Sequence, residues 1–88
     1  MGRVTCFQVP GLSLWFNTND HGPPHFHAEH SGEWEVRIYF LLDDPARMVE
    51  QKWGRSLSRQ HLRALVRQTE EHRAQLLQEW QEKVLLDR

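Results

Sequence analysis

Apolar and polar positions alternate strictly in the middle of this chain, which predicts a β-strand with one buried face. Between residues 33 and 40, one face would carry the apolar side chains Trp34, Val36, Ile38 and Phe40. The opposite face would carry Glu33, Glu35, Arg37 and Tyr39. A half-buried strand of this kind is typical of an antiparallel sheet that is covered on one side.

Shorter segments on either side predict further strands. Residues 4–9 and 12–17 flank a Pro10-Gly11 dipeptide, a pattern that favours a β-hairpin. Residues 24–30 predict another strand, because proline is tolerated at a strand's first position. Residues 43–46 have turn chemistry, with Asp before Pro, and residues 48–53 can return as a last strand.

The last third of the chain predicts helix. Ser58 is a good N-cap, and Leu57 before it can pack on Leu62 in the first helical turns. One apolar stripe then continues through Leu65, Leu76, Trp80 and Val84. A continuous helix would be about 40 Å long, whereas a compact chain of this size is about 30 Å across. The helix therefore either breaks near residues 71–73 or projects toward a partner.

These elements predict an α+β fold. A small antiparallel sheet of about four to five short strands, over residues 3–53, would pack against a C-terminal helix or helix pair over residues 58–86. Hydrophobic residues are 39% and charged residues 26% of the 88, near the values of globular proteins. We expect one domain that covers residues 1–88.

The sequence also indicates the cellular compartment of the protein. The longest apolar stretches, residues 14–16 and 38–42, are far shorter than the roughly 20 residues that span a bilayer. The N-terminal residues have no secretory apolar region, and one cysteine, Cys6, cannot form an intramolecular disulfide. We expect a cytoplasmic protein without membrane contact.

Charge is distributed unevenly. Residues 1–45 contain two basic and six acidic residues, a net charge of −4, and residues 46–88 contain nine basic and six acidic residues, a net charge of +3. Four arginines recur along the start of the helical part: Arg55, Arg59, Arg63 and Arg67. The last three form an arginine ridge beside the apolar stripe of the helix, and the ridge could follow nucleic-acid phosphates. A solvated helix face is the simpler interpretation, since Glu70 and Glu71 follow within pairing distance.

Histidines give the clearest candidate site. Of the six in the chain, four lie within ten positions: His21, His25, His27 and His30. On a strand, His25, His27 and Glu29 would share one face and Phe26, Ala28 and His30 the other, with Phe26 and Ala28 toward the core. Two imidazoles at positions i and i+2 could bind one metal ion, with His21 or Asp20 as a third ligand.

The residues leave three interpretations of this segment open. A metal site would suit Zn, Ni, Fe or Cu, without a choice among them. Catalysis without a metal could use His21 as a base that Asp20 orients, although no activated nucleophile accompanies them. The third interpretation is structural, or a generic contact with a partner. The four tryptophans, one in each predicted element, are expected in the core, and His61 and His72 receive no role.

Residues 19–27, Asn-Asp-His-Gly-Pro-Pro-His-Phe-His, resemble the Asn-Asp-His-x-Pro-Pro-His-Phe-His segment of the family named domain of unknown function 4160, a family of small bacterial proteins. The similarity extends to the aromatic strand end at residues 14–16, Gly54 and Trp80. It implies an antiparallel sheet covered by C-terminal helix, and no established activity. It also implies a gene arrangement similar to two-gene toxin–antitoxin units. Residues 30–32 and 42–47 depart from the family pattern, so partner specificity does not carry over.

Two hypotheses follow. In the first, the protein is a binding module whose exposed histidine face, residues 20–27, and arginine ridge contact a protein or nucleic-acid partner, as in a two-gene toxin–antitoxin-like unit. In the second, it is a metal-dependent enzyme or metal binder, with His25 and His27 as ligands and His21 or Asp20 as third ligand or base.

Overall fold

A computed structural model describes residues 2–17 and 22–85. Its described strands form one antiparallel sheet, as predicted, and they lie in the sheet in sequence order. They are β1 (Gly2–Arg3), β2 (Ser13–Phe16), β3 (Phe26–His30), β4 (Trp34–Ile38) and β5 (Val49–Gly54). Helices α1 (Pro45–Met48), α2 (Arg59–Glu71) and α3 (Arg73–Trp80) follow or interrupt the strands, and a π-helical segment, Gln81–Leu85, continues α3.

One face of the sheet forms the core with the helices. Phe26, Ala28, Val36 and Ile38 are fully buried there, which confirms the alternation predicted for β3 and β4. Leu65 of α2 and Leu76 of α3 belong to the same apolar cluster. The helices therefore cover this face, and the α+β prediction is confirmed.

The predicted strand at residues 4–9 is wrong. Only Gly2–Arg3 pairs with β2, and the chain then leaves the sheet as a loop that closes at the predicted Pro10-Gly11 turn. Val4, Phe7 and Val9 are all buried, a spacing that does not fit strict alternation. The backbone N–H groups of Thr5 and Cys6 donate to the Glu79 carboxylate at 2.8 Å each, so a helix side chain replaces the strand partner.

The helical part breaks inside the expected window. Ser58 caps α2 by accepting from the backbone N–H of His61, as predicted. The α2 helix ends at His72, whose Nδ1–H donates to the Gln68 carbonyl at 2.8 Å. Arg73 then begins α3 and donates to the Phe40 carbonyl at 2.6 Å. The break fits the helices within a molecule whose longest extent is 34 Å.

A β-bulge changes which side chains β5 presents. Arg37 pairs with Glu50 and Glu35 pairs with Trp53, so Lys52 is the extra residue in β5. The extra residue brings Glu50 and Trp53, three positions apart, to the same face of the sheet. Within residues 2–17 and 22–85, none of the helices is both long and apolar enough to cross a bilayer.

Candidate functional site

The sheet face that points away from the helices carries most of the predicted site; we call it the open face. Its side chains are Trp15, Asn17, His25, His27, Glu35, Arg37, Tyr39, Glu50, Lys52 and Trp53. His25 and His27 lie here together, as the strand pattern predicts. Asp20 and His21, the other candidates for catalysis and metal binding, lie outside the described residues, so their positions remain predictions.

A chain of hydrogen bonds crosses the open face from β2 to β4. Trp15 Nε1–H donates to Asn17 Oδ1 at 3.0 Å, and Asn17 Nδ2–H donates to His27 Nε2 at 3.1 Å. Because His27 Nε2 accepts this bond, the ring proton of the neutral imidazole is on Nδ1. His27 Nδ1–H then donates to Glu35 Oε2 at 3.3 Å. We call Trp15, Asn17, His27 and Glu35 the polar row.

The centre of the polar row is buried and its ends are half-buried. His27 is fully buried, with its ring stacked on Trp15 at 5.4 Å and 16°. Buried polar groups that have their partners fix one arrangement of the side chains around them. The expectation of an exposed histidine face is wrong for these two residues, because His25 is also only 5% exposed.

Charged side chains from β5 continue the polar row to its accessible side. Glu35 receives Trp53 Nε1–H at 3.3 Å and lies 3.5 Å from Lys52 Nζ. Glu50 accepts from Tyr39 Oη at 3.0 Å and lies 3.5 Å from an Arg37 nitrogen. Trp53 is 42% exposed, so this side of the open face is available to a partner. The bulge at Lys52 makes these contacts possible.

His25 occupies the end of the open face near β3's start. Its Nδ1–H donates to the Pro23 carbonyl at 2.8 Å, which leaves the ring's lone pair on Nε2. The centroid of its ring lies 5.2 Å from that of His27 and 5.2 Å from that of Tyr39. His25 is therefore oriented by the Pro23 backbone.

Metal binding at His25 and His27 would require rearrangement. His27 uses both ring nitrogens in the polar row, so coordination would displace either Asn17 or Glu35. Among the described residues, no group of three or more His, Cys, Asp or Glu side chains could hold a metal ion. The third ligands that the sequence suggests, His21 and Asp20, fall outside that part of the chain.

Cys6 does not supply a nucleophile. Burial, a hydrogen bond to Glu79 and the negative charge of that carboxylate raise the pKa of the Cys6 thiol to about 12. Since the thiolate is the reactive form, this thiol is inert near neutral pH.

The arginine ridge lies away from His25 and His27. Arg59, Arg63 and Arg67 are exposed on α2, which packs on the opposite side of the sheet from the open face. Arg67 pairs with Glu71 at 3.3 Å, as expected for a solvated helix. The structure therefore separates the two surfaces that the first hypothesis assigned to one partner.

Several site residues were missed by the sequence reasoning. Trp34 and Trp80 are in the core as expected, but Trp15 and Trp53 lie on the open face. Asn17 and Glu35 were not predicted as site residues, although the alternation places Glu35 on the polar face of its strand. Asn17 lies two positions after Trp15, and nothing in this local sequence pattern marks it as a site residue.

Comparison with known proteins adds one finding. The family model of the domain of unknown function DUF4160 matches residues 11–81, which include β2 to β5 and both long helices. Neither the curated proteins nor the solved structures provide a match. The match extends over most of the chain and contains both the polar row and the break between α2 and α3. The chain belongs to the DUF4160 family.

Proposed function

We propose that this protein is a binding module whose open face contacts a protein partner. The observation that carries the proposal is the polar row, in which a fully buried histidine is hydrogen-bonded on the side of the sheet that no described helix covers. Solvated sheet faces do not need such a network, whereas a recognition surface gains affinity from side chains that are already ordered. The proposed partner is the protein encoded beside it, as in a two-gene toxin–antitoxin-like unit.

The chemistry of the open face favours protein over nucleic acid. Its basic groups are matched by acidic ones: Arg37 faces Glu50, and Lys52 faces Glu35. Nucleic-acid surfaces instead carry an excess of unmatched positive charge. Exposed tryptophan, tyrosine and arginine are the residue types that dominate protein–protein binding energy. The open face has all three types: Trp53 is exposed, and Tyr39 and Arg37 are half-buried.

The edges of the sheet are less suited to a partner than its face. Lys83 Nζ donates to the Arg3 carbonyl of β1 at 2.7 Å, and Gln51 Nε2 donates to the Gly54 carbonyl of β5 at 2.9 Å. A strand added at either edge would displace these donors. The bulge at Lys52 also distorts the β5 edge. These features support contact through the face.

The test is a titration of the labelled protein with the product of the neighbouring gene, followed by NMR and calorimetry. We expect saturable binding with shifts concentrated on the open face, and Trp53→Ala weakening it at least about tenfold. Arg63→Ala, an exposed change on α2, is the matched control and should alter the affinity less than about twofold. Equal loss in both variants, or no binding, would contradict the proposal.

Nucleic acid is the other outcome to examine in the same experiment. Single-stranded RNA that binds through the arginine ridge would lose affinity steeply between two salt concentrations. It would be sensitive to Arg63→Ala and insensitive to Trp53→Ala. That result would contradict a protein partner on the open face and indicate a nucleic-acid partner on the arginine ridge.

A metal-dependent function is the second candidate, favoured by the proximity of His25 and His27 on one face. His21 or Asp20 would complete the ligand set or act as base. A zinc and nickel titration, observed at the histidine side chains, should then give saturable shifts at His25 and His27 that disappear in the His25→Ala, His27→Ala variant. Shifts that spare these two rings would remove this candidate.

A further inference from the structure

A second pair of histidines meets on the other side of β3, where the sheet joins the helices. His30 is the last residue of β3, and His61 lies in the first turn of α2. Their ring centroids are 5.0 Å apart, with the rings tilted by 48°. The sequence assigns His61 no role, because His72, the other histidine of the helical part, is too far along the helix to share a ligand with it.

The separation of the two rings matches shared coordination of one ion. With a metal–nitrogen distance of about 2 Å, a metal lies about 3.2 Å from the centroid of each ligating imidazole. Two such ligands at a tetrahedral angle place their centroids about 5 Å apart. The observed distance between His30 and His61 is 5.0 Å.

The Nδ1 atom of each ring lies beside an oxygen atom, so Nε2 is the nitrogen that we assign to coordination. His30 Nδ1 lies 2.6 Å from Glu33 Oε2, and His61 Nδ1 lies 3.1 Å from Ser58 Oγ. A carboxylate or hydroxyl on the second nitrogen is the usual support of a metal-bound histidine. His27 differs in this respect, since its Nε2 accepts from Asn17.

Trp34 contacts the rings of both His30 and His61 and orients them. His30 stacks on the indole at 5.8 Å and 17°, and His61 meets it edge-on at 5.8 Å and 63°. Trp34 is itself 3% exposed, so it is fixed by the core. The His30 side chain is 26% exposed, which leaves a path for an ion from solvent.

We propose that His30 and His61 form a two-histidine site for a divalent transition ion of the zinc type, with Glu33 as the group that positions His30. Water, or a ligand from a partner, fills the remaining coordination positions. The ion joins β3 to α2 and so fastens the helix layer to the sheet. The site shares no residue with the open face, so the metal-site proposal and the protein-binding proposal can be tested independently.

The test is a zinc titration at pH 7.5 of protein labelled in its histidine rings. We expect the rings of His30 and His61 to shift together and saturably at one ion per chain, while His25 and His27 stay unchanged. The midpoint of thermal unfolding should rise with zinc, because the ion binds the folded state. Shifts at a single histidine, or spread over every histidine, would overturn the proposal.

Two variants sharpen the result. His61→Gln should weaken zinc binding at least tenfold, and circular dichroism checks that the variant is folded. Glu33 is 48% exposed at its side chain, so Glu33→Gln should fold normally and weaken zinc binding about tenfold through His30. Glu29→Gln, a carboxylate change on β3 next to His30, is the matched control and should leave the affinity unchanged. Equal affinities in Glu33→Gln and Glu29→Gln would contradict the assigned role of Glu33, and unchanged binding in His61→Gln would overturn the site.

Discussion

Asn17 Nδ2 donates to His27 Nε2 at 3.1 Å, and this bond determines the protonation pattern of the whole polar row. The direction of the bond follows from Trp15, whose Nε1–H already donates to the amide oxygen of Asn17. The amide nitrogen must therefore face the ring, and His27 must carry its proton on Nδ1 toward Glu35.

The first prediction concerns this tautomer. We expect neutral His27 to be protonated at Nδ1 and unprotonated at Nε2, measured from long-range proton–nitrogen correlations of the labelled rings. His72, whose Nδ1–H donates to the Gln68 carbonyl, supplies an internal reference for the same pattern. A proton on Nε2 of His27 would show that the Asn17 amide points the other way.

His27→Ala should destabilise the protein by about 2–4 kcal/mol, because it leaves a cavity and removes a partner from both Asn17 and Glu35. The measurement is urea unfolding followed by circular dichroism. Glu29→Ala, on the same strand and half-buried, is the control and should change stability by less than about 1 kcal/mol. Equal changes in both variants would mean that the polar row adds nothing to stability.

The third prediction is a loss of stability in acid through Glu79. Burial opposes its charged form, but hydrogen bonds from Lys83, Cys6 and Thr5 outweigh burial and lower the pKa of Glu79 to about 2. A pKa lower in the folded than in the unfolded state gives stability that is complete above about pH 4.5 and lost as the pH falls toward 2.

Glu79→Gln should therefore be less stable than the unchanged protein at pH 7, and the difference should disappear near pH 2, measured by urea unfolding across this range. Glu82→Gln, an exposed change in the adjacent π-helical segment, is the control and should keep the original pH dependence. An unchanged acid transition in Glu79→Gln would show that another group controls it.

Cys6 should react slowly with alkylating reagents. With its thiol pKa raised to about 12, the thiolate fraction at pH 8 is roughly a thousandfold smaller than for a free cysteine. The measurement is the rate of modification by iodoacetamide, followed by mass spectrometry. The same chain unfolded in urea should react at the ordinary rate, and a folded rate that equals it would contradict the raised pKa.

Local pattern predicted the parts of the fold that depend on neighbours along the chain. The alternation in β4 predicted the face on which Glu35 lies. The spacing of His25 and His27 predicted that they share a face, and Ser58 predicted the start of α2. Pairing between distant segments was beyond such reasoning. The bulge at Lys52 leaves no mark in the sequence, and the loop at residues 4–9 follows from contacts with Glu79. The meeting of His30 and His61 depends on how α2 packs on the sheet.

Gly54 gives the last prediction, because the backbone of β5 allows no side chain at this position. Its φ is +93°, and an added Cβ would lie 2.1 Å from the Glu33 carbonyl oxygen. That oxygen accepts from the Arg55 N–H at 2.9 Å, so the two backbone segments cannot separate without losing this bond.

Gly54→Ala should therefore cost about 4 kcal/mol or more, measured by urea unfolding. Gly32 has a similar φ of +76° but nothing within 4 Å of its added Cβ, so Gly32→Ala should cost only the backbone strain of about 1–2 kcal/mol. The difference between the variants isolates the close contact with Glu33 from the strain of a positive φ. Equal losses would mean that the Glu33 backbone moves away freely, and that the approach of β5 to the start of β4 is not what requires glycine here.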